Sequence, residues 1–564
     1  MSASKQKKVR QEKKAAYMTE RQIAEAKEAK KLKAYTLTFW IVLALCVSIV
    51  LGTFAVNPVK DVIYKNTHAV TIGEHELTSV EFNYFYIDAI NNYCNQNYQY
   101  ISYILNVNAP LSSQIYDKTN NITWADAFVT MATNNVKSTY ALYDEAVKKG
   151  HTLSEEEQAS IETMFTNLDK NAKTYGYRNA NAYLSDVYGN GASVDTYREY
   201  YQINALADSY YKAYADSLEY NDAAMREYEA DKMVEFNSYT YATYYINYKS
   251  FLETKKDENG KTIANTDEEI AAAREAAKKA AEDLAAIKFE NLDDFDKAIK
   301  ALSINKDVKD AKCNRSEDIL FSNVNTLFRD WITGKVVKEE DKDDKDAKAD
   351  VKEDEKPVYE TRTEGEMTVI ANTSTDSSGK ESVNGYYVVR YGGVNDNTFK
   401  LKDVRHLLVA FEGGKYNSST GETTYTDAEK EAAKKVAQSL LDQWKAGEMT
   451  EDSFAALANK ESDDGDGTTG GLYEKVFPGQ MVKNFNDWCF DAERKAGDVE
   501  LVETEYGWHI IYFVGDNEMN YRDFMVSNTM RNEDVAEWHE ALTEAIKFVE
   551  VNTKHVNRDL ILNA

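Results

Sequence analysis

The sequence predicts a multidomain α+β chain: a single N-terminal transmembrane helix, a mostly α-helical domain, two related α/β domains and a C-terminal helix. Three observations carry this reading. An uncharged apolar run lies near the N-terminus, capped helical patterns follow it, and one block of mixed strand and helix signals occurs twice. At 564 residues the chain is too long for one hydrophobic core, so several domains are expected.

The N-terminal assignment rests on charge. Residues 1–33 carry 11 Lys and Arg against 4 Glu, or +7, so the remaining chain holds −35 of the net −28. From Ala34 to Val59 there is no charged residue. Its apolar stretch from Tyr35 to Val56 would rise about 33 Å as a helix, enough to cross the hydrocarbon core. A transmembrane helix is therefore predicted over 34–57. Basic residues before it and an acidic chain after it place the N-terminus in the cytoplasm and the bulk outside. Thr53-Phe54-Ala55 loosely fits a signal-peptidase site, and Leu43-Ala44-Leu45-Cys46 loosely fits a lipoprotein box. The bulk of Leu45 and the apolar run beyond Cys46 argue against the second. A retained anchor is the favoured reading. The acidic remainder also argues against nucleic-acid binding. Cys94, Cys313 and Cys489 are far apart in sequence, with neither a disulfide framework nor metal-ligand spacing.

Residues 60–76 read as a short strand and turn. From Thr78 the pattern becomes helical. Thr78 and Glu81 have capping-box spacing, with Phe82, Phe85, Tyr86 and Ile90 on one face, and Ser154 with Glu157 repeats the signal. Tyr-rich helices continue to about Asp231, so 60–233 is predicted to be one helical domain. Its tyrosines suit either a core or a surface that holds unfolded chains. Residues 517–564 return to helix, with Trp538, Leu542, Ile546 and Val549 on one face, and are expected to pack on the helical domain.

Segments 236–398 and 400–516 run in parallel. Tyr241–Ile246 matches Val404–Val409, each as a β-like run. Capped helices follow at Thr266–Glu269 and Thr426–Glu429, both continuing into Glu-Ala-Ala-Lys-Lys. Shorter helices begin near Phe295 and Phe454. Then come Phe-x-Asp-Trp at 328–331 and 485–488, and Gly-aromatic β-runs from Gly385 and Gly507. The first copy carries an insertion at 338–356, almost all Lys, Asp, Glu and Ala, which cannot bury enough apolar surface to fold.

The second copy resembles the parvulin (PpiC) family of peptidyl-prolyl isomerases. The residues that carry the resemblance are Val404–Val409, Phe454–Ala458 leading to Glu461-Ser462-Asp463-Asp464, Gly470-Gly471-Leu472-Tyr473, Pro478–Val482, Phe485, and Thr504–Ile511. The whole arrangement is similar to PrsA/SurA-type extracytoplasmic foldases. The resemblance implies a catalytic group of His406, Asp464, Thr504 and His509. It also implies a substrate pocket of Met481 and Phe485, with Leu472 or Tyr473 as the remaining wall. The family usually reads Gly-Gly-Asp-Leu-Gly where this chain has Gly-Gly-Leu-Tyr-Glu, which leaves both wall residues as candidates. The histidines suit either catalysis or support of the sheet.

In the first copy Thr243 stands for His406, Tyr387 for His509 and, by counting, Asn305 for Asp464. That copy is therefore expected to be a degenerate parvulin-like domain. The resemblance implies a membrane-anchored enzyme that acts on unfolded or newly exported polypeptides, isomerises X–Pro bonds and holds clients. A silent peptide-binding holdase is the alternative. No cofactor or metal is implied.

Overall fold

The computed structural model describes residues 58–336, 357–376, 378–417, 421–465, 469–550 and 552–562. The predicted segments 1–33, 34–57 and 338–356 lie outside the described residues. Among the described residues no helix is long and apolar enough to cross a membrane. The chain forms two compact units. One holds residues up to 219, 400–519 and those from 529 onward, and the other holds 220–399 and 520–528.

In the first unit, helices Ser79–Gln96, Trp124–Lys148, Glu155–Thr174 and Val194–Ser217 dominate the part before residue 220. Thr78 and Glu81 close a reciprocal capping box, and Ser154 with Glu157 does the same. Each box satisfies two backbone N–H groups that a helix start leaves unpaired. Phe82, Phe85, Tyr86 and Ile90 are buried as one face, against Trp124, Phe128 and Val136. One expectation fails here. Residues 60–66 belong to a helix, Pro58–Asn66, with Asp61 in its first turn and Lys65 in its last, so charges complement the helix dipole. The first strand begins only at His68.

The C-terminal segment completes this core. Its helix, Tyr521–Ala545, ends before Ile546, and strand Phe548–Glu550 pairs antiparallel with His68–Ile72. Val549 is thus a strand residue and exposed, not part of a helical face. Trp538 stacks on Tyr214 at 3.8 Å, and Val556 and Leu562 enter the cluster around Phe82.

The second unit carries a four-stranded sheet in the order Asn314–Leu320, Ser238–Asn247, Glu381–Asn395, Met367–Thr375. Helices Asp267–Ala285 and Leu292–Ala301 bury Ala277, Ala281, Phe295 and Ile299 against Ala242, Ile246 and Val388. Helix Thr326–Thr333 lies with Tyr239, Tyr241 and Val389 in a separate cluster. Residues 400–519 of the first unit repeat this plan. Their sheet runs Leu472–Val476, Lys400–Ala410, Gly507–Asn520, Val499–Glu503, with helices Asp427–Lys445, Glu451–Glu461 and Lys483–Cys489.

A shared backbone detail fixes the alignment of the two sheets. A Cβ on Gly385 would lie 2.4 Å from the Ile246 carbonyl oxygen, and one on Gly507 would lie 2.1 Å from that of Val409. Ile246 therefore corresponds to Val409, which places Thr243 at the position of His406 and Tyr387 at that of His509. Phe328 faces Tyr387 at 5.9 Å as Phe485 faces His509 at 5.3 Å. Counting fails only for Asn305. Its amide bonds the Tyr244 hydroxyl and the Ile299 carbonyl, and Tyr244 packs in the cluster of the two longer helices.

Two predictions follow from buried charges. In the second unit Arg522 donates to Glu229 at 2.7 Å, to Asn237 Oδ1 at 2.9 Å, and to the carbonyls of Asp396 at 3.0 Å and Met233 at 2.8 Å. Arg522→Ala leaves the Glu229 carboxylate with Arg226 as its remaining cation and removes the donor from three further oxygens. It is expected to cost about 3 kcal/mol, the low end for a broken buried pair, measured by urea unfolding of the full chain.

In the helical part, Asp88 accepts from the Tyr200 hydroxyl at 2.6 Å and from the Tyr188 hydroxyl at 3.3 Å. Burial raises its carboxyl above the usual range, although the two hydroxyls pull the other way. The folded state thus holds the proton more tightly than the unfolded chain. The associated stability is complete below the unfolded value and is lost as pH rises through the folded one. Asp88→Asn is expected to flatten that decline, read as thermal midpoint against pH from acid to neutral.

Candidate active site

The site lies on the sheet of residues 400–519, on the face away from its two longer helices. Alternation along Lys400–Ala410 sends Leu407 and Val409 to the cluster of those helices and Val404 to the opposite one. His406 shares the face of Val404. Strand Gly507–Asn520 similarly divides Ile510 from Ile511, and His509 shares the face of Ile511.

Both imidazoles are buried, at 2 % and 1 % exposure. Their Nδ1 atoms are 3.2 Å apart, and the rings lie 28° from parallel. His509 Nε2 is 3.0 Å from Thr504 Oγ1, while His406 Nε2 is 3.6 Å from Asp464 Oδ2. The Thr504 hydroxyl also lies 3.4 Å from the Gly507 carbonyl, so the row can run in either direction. In the order that sets a donor against an ionised Asp464, the Thr504 hydroxyl donates to His509 Nε2, His509 Nδ1–H donates to His406 Nδ1, and His406 Nε2–H faces the carboxylate. Thr504 is itself held in its turn, accepting from the Tyr506 N–H at 3.2 Å.

The apolar half is one cluster of Val404, Tyr473, Val476, Met481, Phe485, Trp488 and Ile511. Phe485 sets its ring edge-on to both histidines, at 5.8 Å from His406 and 5.3 Å from His509. Tyr473 lies 4.4 Å from the His406 ring. Strand pairing decides between the two wall candidates. Tyr473 pairs with Val404, whereas Leu472 pairs with Arg405. Consecutive strand residues face opposite ways, so Leu472 is turned from the cluster and the expectation for it is corrected. His406, Asp464, Thr504, His509, Tyr473, Met481 and Phe485 are brought together.

Several supporting groups escaped the sequence reading. Ser462 Oγ accepts from the N–H of Leu408 at 3.1 Å and of Asp464 at 3.2 Å, tying the Asp464 loop to the central strand. Arg405 donates to the carbonyls of Thr469 at 2.9 Å and Gly470 at 3.3 Å and pairs with Glu451 at 2.9 Å. Gln480, also buried, accepts the Phe477 N–H at 2.9 Å and shapes the turn before Met481. Ser462 lay inside the quoted Glu-Ser-Asp-Asp run, and a serine two residues before a loop aspartate was the available signal. Among the described residues no cluster of His, Cys, Asp and Glu is arranged to hold a metal ion.

Chemically, the arrangement is a buried apolar cluster with a polar edge at Asp464 and the histidine pair. Among the described residues its hydroxyls are engaged: Thr504 with His509 and its own turn, Tyr473 with Asp464, and Ser462 with backbone N–H groups. Such a site can hold a ring and orient an amide.

Residues 386–516 match the family model of the PPIC-type PPIASE domain. This part of the chain is a parvulin-type peptidyl-prolyl cis-trans isomerase domain. No curated protein matches the chain. Among solved structures the chain is similar to the peptidylprolyl isomerase PrsA from Bacillus cereus, at 22% identity over 29% of this chain and 56% of that one, with a TM-score of 0.17. The chain thus spans about half of that structure's length.

The Gly470-Gly471 turn gives a direct test of the site's scaffold. Gly471 has φ +66°, and a Cβ there would lie 2.0 Å from the His406 carbonyl oxygen. Gly479 has φ +80° with nothing within 4 Å of its Cβ position. Gly479→Ala should cost only the left-handed backbone, about 1–2 kcal/mol. Gly471→Ala should cost clearly more in the same denaturant titration, because backbone meets side chain with no room to yield.

Proposed function

We propose that the chain is a membrane-anchored extracytoplasmic foldase that isomerises X–Pro bonds in exported, unfolded polypeptides and also holds them. The observation that carries the isomerase half is the apolar cluster of Tyr473, Met481 and Phe485, read here as the proline slot, bordered by Asp464 and the buried histidine pair. The anchor is supported by the uncharged run at 34–57 and the charge reversal across it.

The chemistry follows from the barrier. Rotation about the peptide bond costs roughly 18–20 kcal/mol because twisting breaks amide conjugation. X–Pro bonds populate both isomers and exchange slowly. No bond is cut, so catalysis requires only that the twisted amide be bound better than either planar form. In the proposed complex the proline ring enters the apolar slot. Twisting leaves the nitrogen pyramidal and the carbonyl less conjugated, and the polar edge at Asp464 favours that state in a partly dry site. The histidines, at 1–2 % exposure, act from beneath the slot by fixing the strands and orienting the row that ends at Asp464.

A silent holdase is the second reading. One observation favours it for part of the chain: the second unit keeps the same strand plan with Thr243 and Tyr387 in place of the histidines. In that unit the Tyr245 and Tyr387 rings lie 4.7 Å apart, and a Cβ on Gly385 would meet the Tyr245 hydroxyl at 2.7 Å.

A protease-coupled isomerisation assay on the full chain separates the readings. Wild type should accelerate the slow phase of a proline peptide. Phe485→Ala and Asp464→Ala should each lower kcat/KM by roughly tenfold or more, about 1.4 kcal/mol of barrier. Activity that survives both changes would reject the site. No activity, together with suppressed client aggregation, would establish the holdase.

A further inference from the structure

Asp464 lies outside regular structure, just past the end of helix Glu451–Glu461. A carboxylate on such a segment needs a fixed partner if it is to be aimed. Two groups face it from the sheet: His406 on strand Lys400–Ala410 and Tyr473 on strand Leu472–Val476. The distances differ in kind. His406 Nε2 is 3.6 Å from Asp464 Oδ2, beyond hydrogen-bond range, while the Tyr473 hydroxyl donates to that oxygen at 3.0 Å. The neighbouring carboxylate of Asp463 is turned away, accepting the Ala410 N–H at 2.9 Å.

Tyr473 is well placed to hold rather than follow. Its ring is 8 % exposed, is packed at 4.4 Å from His406, and sits on a strand paired with the central one. The position is also where the motif departs from the usual Gly-Gly-Asp-Leu-Gly. A leucine could supply the apolar wall but has no hydroxyl, so the interaction with Asp464 is a property of this chain's own sequence.

We propose that Tyr473 is a positioning residue for Asp464, its phenol hydroxyl fixing the carboxylate at the edge of the apolar slot while its ring forms the slot's wall. One side chain thereby couples the packing of the proline ring to the orientation of the polar group beside the amide. The proposal rests on the isomerase reading of this site. It adds that a strand residue takes part in setting the aim of Asp464. An O–H group donating to a carboxylate makes one of the stronger hydrogen bonds, and removing it takes away the strand's hold on that carboxylate.

The test is Tyr473→Phe, which removes one oxygen and keeps the wall. In the full chain kcat should fall about tenfold, the scale of a hydrogen bond to a charged group, with little change in KM for the proline peptide. The acid limb of the pH–rate profile should move to higher pH, because the phenol favours the charged carboxylate. On an Asp464→Ala background the same change should cause no further loss. Tyr473→Leu, which keeps an apolar wall, should behave as Tyr473→Phe does.

An unchanged rate and profile in Tyr473→Phe, or a loss that adds in full to that of Asp464→Ala, overturns the proposal. Inactive wild-type protein would instead reject the isomerase reading. The coupling is then read without turnover, from the 13C carboxyl resonance of Asp464. Displacement of its titration to higher pH in Tyr473→Phe supports the proposal, and an identical titration curve overturns it.

Discussion

The active face depends on a single close approach of backbone to backbone. The His406 N–H donates to the Gly471 carbonyl at 2.9 Å, and the space above the His406 carbonyl is closed to any Cβ at Gly471. That contact sets the pairing of Leu472–Val476 with the central strand. A slip of one residue would reverse every side chain on the short strand. Tyr473 would leave the cluster, Leu472 would enter it, and the hydroxyl now meeting Asp464 would point elsewhere. Arg405 and Asn459 hold the turn from its other side, by its carbonyls and by the Gly470 N–H at 2.6 Å. The polar and apolar halves of the site share one steric origin.

The helical part of the first unit is organised differently, around tyrosine. Tyr84 is buried among Tyr188, Tyr197 and Tyr200, at ring separations of 4.9, 5.3 and 5.1 Å. Its hydroxyl bonds Thr196 at 2.7 Å, and burial pushes its ionisation up to about 12. These rings bury large areas while their oxygens satisfy one another and Asp88, which is how a polar aromatic serves in a core. Other tyrosines of the same domain, Tyr98, Tyr100 and Tyr103, stand exposed. Tyrosine thus serves both in the core and on the surface of the same domain.

Much of the fold was legible because its signals are local. The four capping boxes at Thr78, Ser154, Thr266 and Thr426 require only a residue and its third neighbour, and all four form. The repeat was legible because the order of strand, helix and glycine survives in both copies. What failed depended on pairing or packing. Leu472 and Tyr473 cannot be told apart until the partner strand is known. Val549 fits a helical face by spacing, but the strand at His68–Ile72 draws it into a sheet. Asn305 matched Asp464 by counting from a shared Phe, yet its amide has partners on the helix side of its sheet. Residues 60–66 were misread because dipole-matched charges at Asp61 and Lys65 outweigh their β-branched residues. Within the site, residue types named the side chains that meet, whereas Ser462, Arg405 and Gln480 were invisible because each acts through backbone atoms.

The matched glycines carry a meaning beyond alignment. Gly385 and Gly507 each let one strand pass against the carbonyl of its neighbour, at Ile246 and at Val409. The side chains two residues further on are Tyr387 and His509, which share no chemistry. If the copies descend from one ancestral unit, its geometry has outlasted its reactivity. A buried histidine can be exchanged for another side chain, but a Cβ cannot be added at these glycines without parting the strands. The copy without the histidines therefore keeps the same sheet, in which empty space is the shared character.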